Sequence, residues 1–385
     1  MPDRISRVVL AIVSILFLLG SREARAQELF VANGNNSVTV YTRTSNGNVA
    51  PLRILSGAAT GLNGIADLTV DTGNNELFVL NQFGLSITVY PLTANGNVAP
   101  LRTISGAATG MNNPVSLTLD AVNNEIVVAN GGNNSVTVYA RAANGNVAPL
   151  RTLSGAATGL SVPLGVAVDT VNNELIVTNG VGSSITVYTR TANGNVAPIR
   201  TLSGASTGLN TPQGVVVDTV NNELAVVNVS GSSVTVYART ANGNVAPLRT
   251  LSGPTTGLAT PVGLALDNVN DELAVASSGN ASVRVFARTA NGNVAPLRTL
   301  TGASTGLVSP VRVAITTGGV LPPPTSTPTP TGPPAATPTT GSSPSPTPTP
   351  GAGQVTVPTL DSRGLIALSL ILAAMGIFVI RRMSS

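Results

Sequence analysis

The chain has 385 residues, 42% of them hydrophobic, and contains no Cys, His, Trp or Lys, so all 20 basic side chains are Arg. That excludes a disulfide framework, a thiol nucleophile and a thiolate metal site, and it removes the commonest general base and zinc ligand. The net charge of +4 does not describe the body of the chain: residues 27–356 carry 13 Arg against 13 Asp plus Glu, and the excess lies at the ends, in Arg4, Arg7, Arg22, Arg25, Arg363, Arg381 and Arg382. No basic patch with interleaved aromatics exists for nucleic acid to meet.

Arg4 and Arg7 precede an apolar run from Val8 to Leu19, and Ala24-Arg25-Ala26 follows with small residues where a signal peptidase reads. Residues 1–26 therefore read as a secretory signal peptide, with Gln27 as the mature N-terminus. The alternative is an uncleaved anchor, for which a run of about 12 residues is short.

Residues 27–317 are organised by a repeat. Asn-Gly-Asn-Val-Ala-Pro begins at Asn46, Asn95, Asn144, Asn193, Asn242 and Asn291, an interval of 49 residues each time. Each unit holds four short β-branched runs, such as Gly165–Asp169, Glu174–Thr178, Ser184–Tyr188 and Ile199–Ser203, punctuated by Asn and Gly. The alternation predicts strands, and a four-strand unit at this period predicts a propeller blade. The mature chain starts inside a unit, at the second strand (Glu28–Asn33), and the missing first strand comes last, at Pro310–Thr316. A linear array needs modified end repeats, whereas here the two ends complement each other. The expectation is an all-β, six-bladed propeller of four-stranded antiparallel blades, the last shared between the chain ends.

Val-Asp-x-x-Asn-Asn-Glu-Leu-x-Val-x-Asn, at Val168–Asn179 and Val217–Asn228, followed by Ser-Val-Thr-Val-Tyr, resembles the repeats of secreted bacterial propellers of the YVTN/NHL type. The resemblance covers Glu28 to Thr316 and implies the fold; propellers host binding modules and enzymes alike.

Residues 318–356 are a linker rich in Pro, Thr and Ser. Its densest part, Leu321–Gly353, favours extended polyproline II, and some 33 residues at about 3.1 Å each reach on the order of 100 Å. Residues 357–385 carry an apolar run from Gly364 to Ile380, closed by Arg381 and Arg382. As a helix it is about 25 Å long, near the lower limit for a span, with the arginines on the cytoplasmic side. Before it stand Val357, Pro358, Thr359 and Leu360. This order of parts resembles the IPTL-CTERM sorting signal, with Val357 in place of Ile. The resemblance implies cutting near the motif by an exosortase-type enzyme and release to the cell surface or matrix. The alternative is a permanent single-pass anchor.

Propeller enzymes of the gluconolactonase-like kind hold a metal on Glu, Asn and Asp at the central channel. The candidates in this chain, Asp71, Asp120, Asp169, Asp218 and Asp267, each open an Asp-x-x-Asn-Asn/Asp turn, and their identity argues for local turn bonding. The Arg of each Pro-Leu/Ile-Arg run matches a Glu in number and reads as surface pairing. One aromatic per blade (Tyr41, Tyr90, Tyr139, Tyr188, Tyr237, Phe286) reads as packing. No catalytic set, metal or cofactor is expected.

Variation among copies concentrates in the loops joining second to third strands, which alternating strand direction places on one face with the fourth-to-first connections. The third residue of the first strand is Asp67, Ser116, Gly165, Gly214, Gly263 and Arg312 in turn. In a closed ring Asp67 and Arg312 adjoin across the closure, either fixing the register of the last strand or anchoring a ligand. Candidate binding residues are Asp67, Arg312, Phe83, Gln82 and Gln213. The sequence thus reads as an exported binding module for a protein or glycan, displayed at the cell envelope. A metal-dependent hydrolase of the lactonase kind and a purely structural surface protein are the rivals.

Overall fold

The computed structural model describes residues 27–316. The signal peptide, linker, sorting motif and apolar tail of the sequence reading lie outside the described residues. Within them, 24 strands form six four-stranded antiparallel sheets. Blade one spans Ile65–Ser105, blade two Pro114–Ser154, blade three Pro163–Leu202, blade four Pro212–Leu251 and blade five Pro261–Leu300. Blade six joins Pro310–Ile315 to three strands from the other chain end, Glu28–Asn33, Ser37–Thr42 and Arg53–Leu55. The ring is a six-bladed propeller closed by a shared blade.

The core lies between blades. Six apolar clusters each join two adjacent blades, among them Phe30, Val38 and Leu55 of blade six with Leu68, Leu77 and Val79 of blade one. Leu29, Val31 and Val313 of blade six meet Ala274, Val283 and Leu300 of blade five in the same way. The closing interfaces are therefore packed like the interfaces inside the chain. Across the closure Leu29 pairs with Ile315 and Val31 with Val313, but Asn33 pairs with Pro310 and Ala32 with Arg312. The register shift bulges Val311 out of the ladder, and it packs in the cluster on the other side of the sheet instead of beside Leu29 and Val31. The same shift follows the first residue of the inner strand in the other blades.

Asn-Gly-Asn-Val-Ala-Pro does more than turn the chain. It starts on the face of the Asp-x-x-Asn-Asn turns and runs up the outer edge of the neighbouring blade. Gly96 of blade one forms a parallel bridge to Leu55 of blade six, Asn95 Oδ1 accepts the Ile54 N–H at 3.1 Å, and Asn97 Oδ1 accepts the Ala59 N–H at 2.7 Å. The last clasp, from Gly47 to Leu300, binds blade six to blade five. Each outer strand, which would otherwise offer free N–H and C=O groups, is thus covered by its neighbour. The glycine of Leu/Ile-Ser/Thr-Gly completes the clasp: at Gly57 (φ +120°) a Cβ would sit 2.5 Å from Asn97 Oδ1. A single 3-10 turn follows it in every blade, as at Ala58–Thr60; one turn is too short to show in hydrophobic periodicity.

Ion pairs stitch the turn face. Within each blade Arg grips Glu with both Nη atoms, as Arg151 does Glu125 at 2.6 and 2.7 Å. A second arginine reaches across to the preceding blade. Arg141 meets Asp71 and Glu76 at 3.0 and 2.7 Å, and Arg239 lies 3.8 Å from Asp169 and 2.7 Å from Glu174. Burial pushes the Glu174 carboxyl up, but its bonds to Arg200 and Arg239 outweigh this and hold it below the usual carboxylate range. At the six/one interface Leu92 stands where the second arginine would be, and Thr316 where the aspartate would be. Leu92 joins the apolar cluster, and Thr316 Oγ1 accepts the Glu28 N–H at 2.8 Å. Both halves of the pair change together.

Candidate functional site: the channel mouth and the loop face

The inner strands surround a channel of about 350 Å³. Most of its lining residues are aliphatic, among them Val70, Ala167, Val217, Leu266 and Ala314, while polar groups, backbone included, make up much of the surface that faces the lumen, and it extends to Asn268 in a turn of the turn face. At the loop-face end the bulges turn backbone carbonyls inward, and there all six blades meet. Arg312 of blade six lies 3.2 Å through Nε from Asp67 Oδ1 of blade one. Its Nη1 donates to the Val262 carbonyl of blade five at 2.6 Å, and its Nη2 to the Leu164 carbonyl of blade three at 3.3 Å. Asp67 Oδ2 accepts from Ser116 Oγ and the Leu117 N–H of blade two at 2.7 and 3.0 Å, and Oδ1 from the Leu68 N–H at 2.8 Å. Blade four contributes space: a Cβ on Gly214 would lie 2.9 Å from Arg312 Nη1, and one on Gly263 of blade five 2.7 Å from Arg312 Cδ. Asp67 and Arg312 are 5% and 4% exposed, so the pair closes the mouth from within.

The two charges that the sequence places across the closure are thus brought together. Of the other candidates, Phe83 is 76% exposed on the loop face, its ring laid against Gly64, where a Cβ would come within 2.4 Å of Cδ2. Gln82 Nε2 donates to Asn113 Oδ1 at 2.7 Å, tying its loop to the connection entering blade two. Gln213 occupies the bulge of blade four, and its carbonyl accepts from Thr178 Oγ1 at 2.7 Å. The sequence offers no marker for the bulge carbonyls that hold Arg312, because backbone groups leave no trace in residue identity.

Chemically, the mouth is a satisfied ionic plug. Asp67 is the single carboxylate among the channel-lining residues, and both its oxygens are already engaged. A hard divalent cation needs about six oxygen ligands, and a guanidinium stands in this carboxylate's coordination space, so these residues do not fit a channel metal. The turn aspartates serve their turns: Asp169 accepts the Val171 and Asn172 N–H groups, both at 2.9 Å, and Asn172 Nδ2 at 2.8 Å. The tyrosines are packed, and each hydroxyl donates to a carbonyl of a 3-10 turn, as Tyr139 does to Thr109 at 2.6 Å. Burial pushes their pKa values up to about 12.

The loop face is where blades differ most. Loop and connection share it: the Gln82 N–H donates to the Gly64 carbonyl at 2.8 Å, and that of Gly180 to Val162 at 3.0 Å. On the opposite face the turns bond the ends of the third strands, as the Arg190 N–H does to the Asn173 carbonyl at 2.8 Å. Glu28 and Thr316 meet there too, so the described chain begins and ends on the turn face.

A family model described as a lactonase, 7-bladed β-propeller, matches residues 27–164, less than half of the chain. No curated protein matches. Among solved structures, a chain of a nidogen/laminin complex is 15% identical with a TM-score of 0.56, covering 75% of this chain and 98% of its own. A protein of unknown function from Bacteroides caccae is 10% identical with a TM-score of 0.55, at the same coverage of 75% and 98%. A functionally unknown protein from Desulfotomaculum acetoxidans is 12% identical with a TM-score of 0.52, again covering 75% and 98%. What these likenesses carry is the fold, a β-propeller, built in this chain with six blades.

Proposed function

We propose that the ring is a binding module that presents its loop face to a protein or glycan partner. The observation that carries this reading is the opposition of the two faces. The described chain begins and ends on the turn face, opposite the variable loops. Loops on a rigid scaffold are where recognition usually sits. An aromatic that is 76% exposed among Gly and Asn is suited to serve as an anchor. Export, a Pro/Thr stalk and sorting by an exosortase-type enzyme complete the proposal and rest on the sequence features outside the ring.

The mature protein is screened on glycan and protein arrays, and the strongest binder is titrated against Phe83→Ala and Val171→Ala. Phe83→Ala weakens binding by about tenfold or more, while Val171→Ala on the turn face leaves it unchanged. Binding lost through Val171 and kept without Phe83 would place recognition on the wrong face and overturn the reading. The lactonase match supports a hydrolase as the second reading. Turnover of lactone or ester substrates by the purified protein would favour it over a binding module.

A further inference from the structure

Blade five breaks the repeat at three positions that converge on one spot. In the other blades an Asn at the end of the second strand does two jobs. Its Oδ1 accepts a backbone N–H of the connection, and its Nδ2 donates to a Thr on the third strand, as Asn228 does to the Asn210 N–H and to Thr235 Oγ1 at 3.0 and 2.9 Å. In blade five the Asn is Ser277, the Thr is Arg284 and the Tyr two residues on is Phe286. Ser277 keeps the first job, its Oγ accepting the Ala259 N–H at 2.8 Å. Being shorter, it gives up the second, and the space goes to a guanidinium. Arg284 lies against Gly257, where a Cβ would be 2.4 Å from its Cζ, and its Nη1 is 3.4 Å from Thr299 Oγ1. Gly257 ends the 3-10 turn Pro254–Thr256 of the loop face, and its carbonyl accepts Asn280 Nδ2 at 2.8 Å from the blade-five loop.

Arginines in this ring come with carboxylates. Of the 13 among the described residues, 12 make an ion pair and Arg284 makes none. Its Nε is shielded and has no partner, and burial, with no acid beside it, pulls its pKa down. A half-buried cation without a counter-charge is costly, and Thr, the residue of the other five blades, would remove that cost. The side chain keeps partial solvent access, and a guanidinium offers a fork of donors that fits an oxyanion. The geometry points to an oxyanion-binding site on blade five, in which Arg284, between Thr299 and Gly257, receives a carboxylate, sulfate or phosphate group. The site stands whether or not the variable loops bind a partner.

The mature protein and Arg284→Thr are titrated with acetate, sulfate and inorganic phosphate at constant ionic strength balanced with sodium chloride, and Tm and calorimetric binding are followed. Arg284→Thr restores the residue of the other blades, so it is expected to fold, and far-UV circular dichroism checks that it does. The expected result is saturable binding of at least one oxyanion, with a rise in Tm, weakened about tenfold or more in Arg284→Thr. The arm that saturates at the lowest concentration identifies the group. Arg284→Lys, which keeps the charge and loses the fork, falls between the two. Equal responses in parent and Arg284→Thr, or a response that follows ionic strength alone, would overturn the site.

Discussion

The outer edge of the ring and its inner mouth solve the same problem, joining one blade to the next, in opposite ways. At the outer edge every blade uses the same clasp, with Asn97 Oδ1 on the Ala59 N–H in one place and Asn195 Oδ1 on the Ala157 N–H in another, at 2.7 and 2.8 Å. At the mouth no common device exists, and one ion pair reaches groups from several blades at once. Repetition distributes cohesion evenly but cannot say which blade comes last. A unique pair can, because Arg312 meets its carboxylate only when the last strand sits beside Glu28–Asn33.

The largest effect expected is on closure itself. Deleting Pro310–Thr316 removes the innermost strand of blade six and its share of both interfaces, Val311 and Ala314 from one and Val313 and Ile315 from the other. The product is expected to aggregate or to lose cooperative unfolding, read by size-exclusion chromatography and thermal circular dichroism. A truncated chain that melts like the parent would sink the ring.

Next comes the mouth. Arg312→Ala leaves Asp67 buried without its cation, and breaking such a pair costs about 3–5 kcal/mol. Adding Asp67→Ala is expected to recover part of the loss, and a double-mutant cycle in denaturant measures the coupling. Additive effects would mean that the pair does not act as a unit.

The clasps should be weaker one at a time and alike all round. Asn195→Ala between blades three and two, and Asn48→Ala at the closure, are each expected to cost about 0.5–1.5 kcal/mol. A much larger cost at Asn48 would show the closure to be the weak joint, contrary to the even packing.

The smallest effects are in pH. Five tyrosines with pKa values raised to about 12 ionise in the unfolded chain near the ordinary value of about 10. Their folded pKa lies above the unfolded one, so their contribution is complete below about pH 10 and is lost as pH rises toward 12. Tm is expected to fall across that window, with tyrosinate absorbance appearing together with unfolding. On the acid side Glu174 and Glu272 are held low, the latter chiefly by its Arg298 hydrogen bonds. Their contribution is present above about pH 4.3 and is lost as pH falls through the depressed folded values.

Much of this was legible in the sequence because a repeat turns position into geometry. The 49-residue spacing marks the blades, the split unit marks the closure, and the alignment of the six copies sets Asp67 beside Arg312. What stayed hidden involves contacts between copies. Invariance marks Asn-Gly-Asn as structural without saying that it grips the next blade, and Arg43 or Arg141 looks like any surface charge until the neighbouring Asp and Glu are in view. Arg284 leaves a trace, since Ser277, Arg284 and Phe286 depart from the repeat together. Their convergence shows only when the strands are laid side by side.

The position of the chain ends has a mechanical consequence. The last strand, Pro310–Ile315, lies along the channel and pairs at every residue but the bulged Val311 with the strand Glu28–Asn33. A pull transmitted from beyond Thr316 acts along that strand, so its ladder bonds are loaded together in shear and do not peel one after another. Arg312, pinned to several blades near the far end, resists the same slide as a crossbar resists withdrawal of a bolt. Were the tension applied between Glu28 and Thr316, which are neighbours, the same ladder would open like a zipper from that end. The ring thus resists a pull applied through its C-terminal strand alone better than one applied between its two ends.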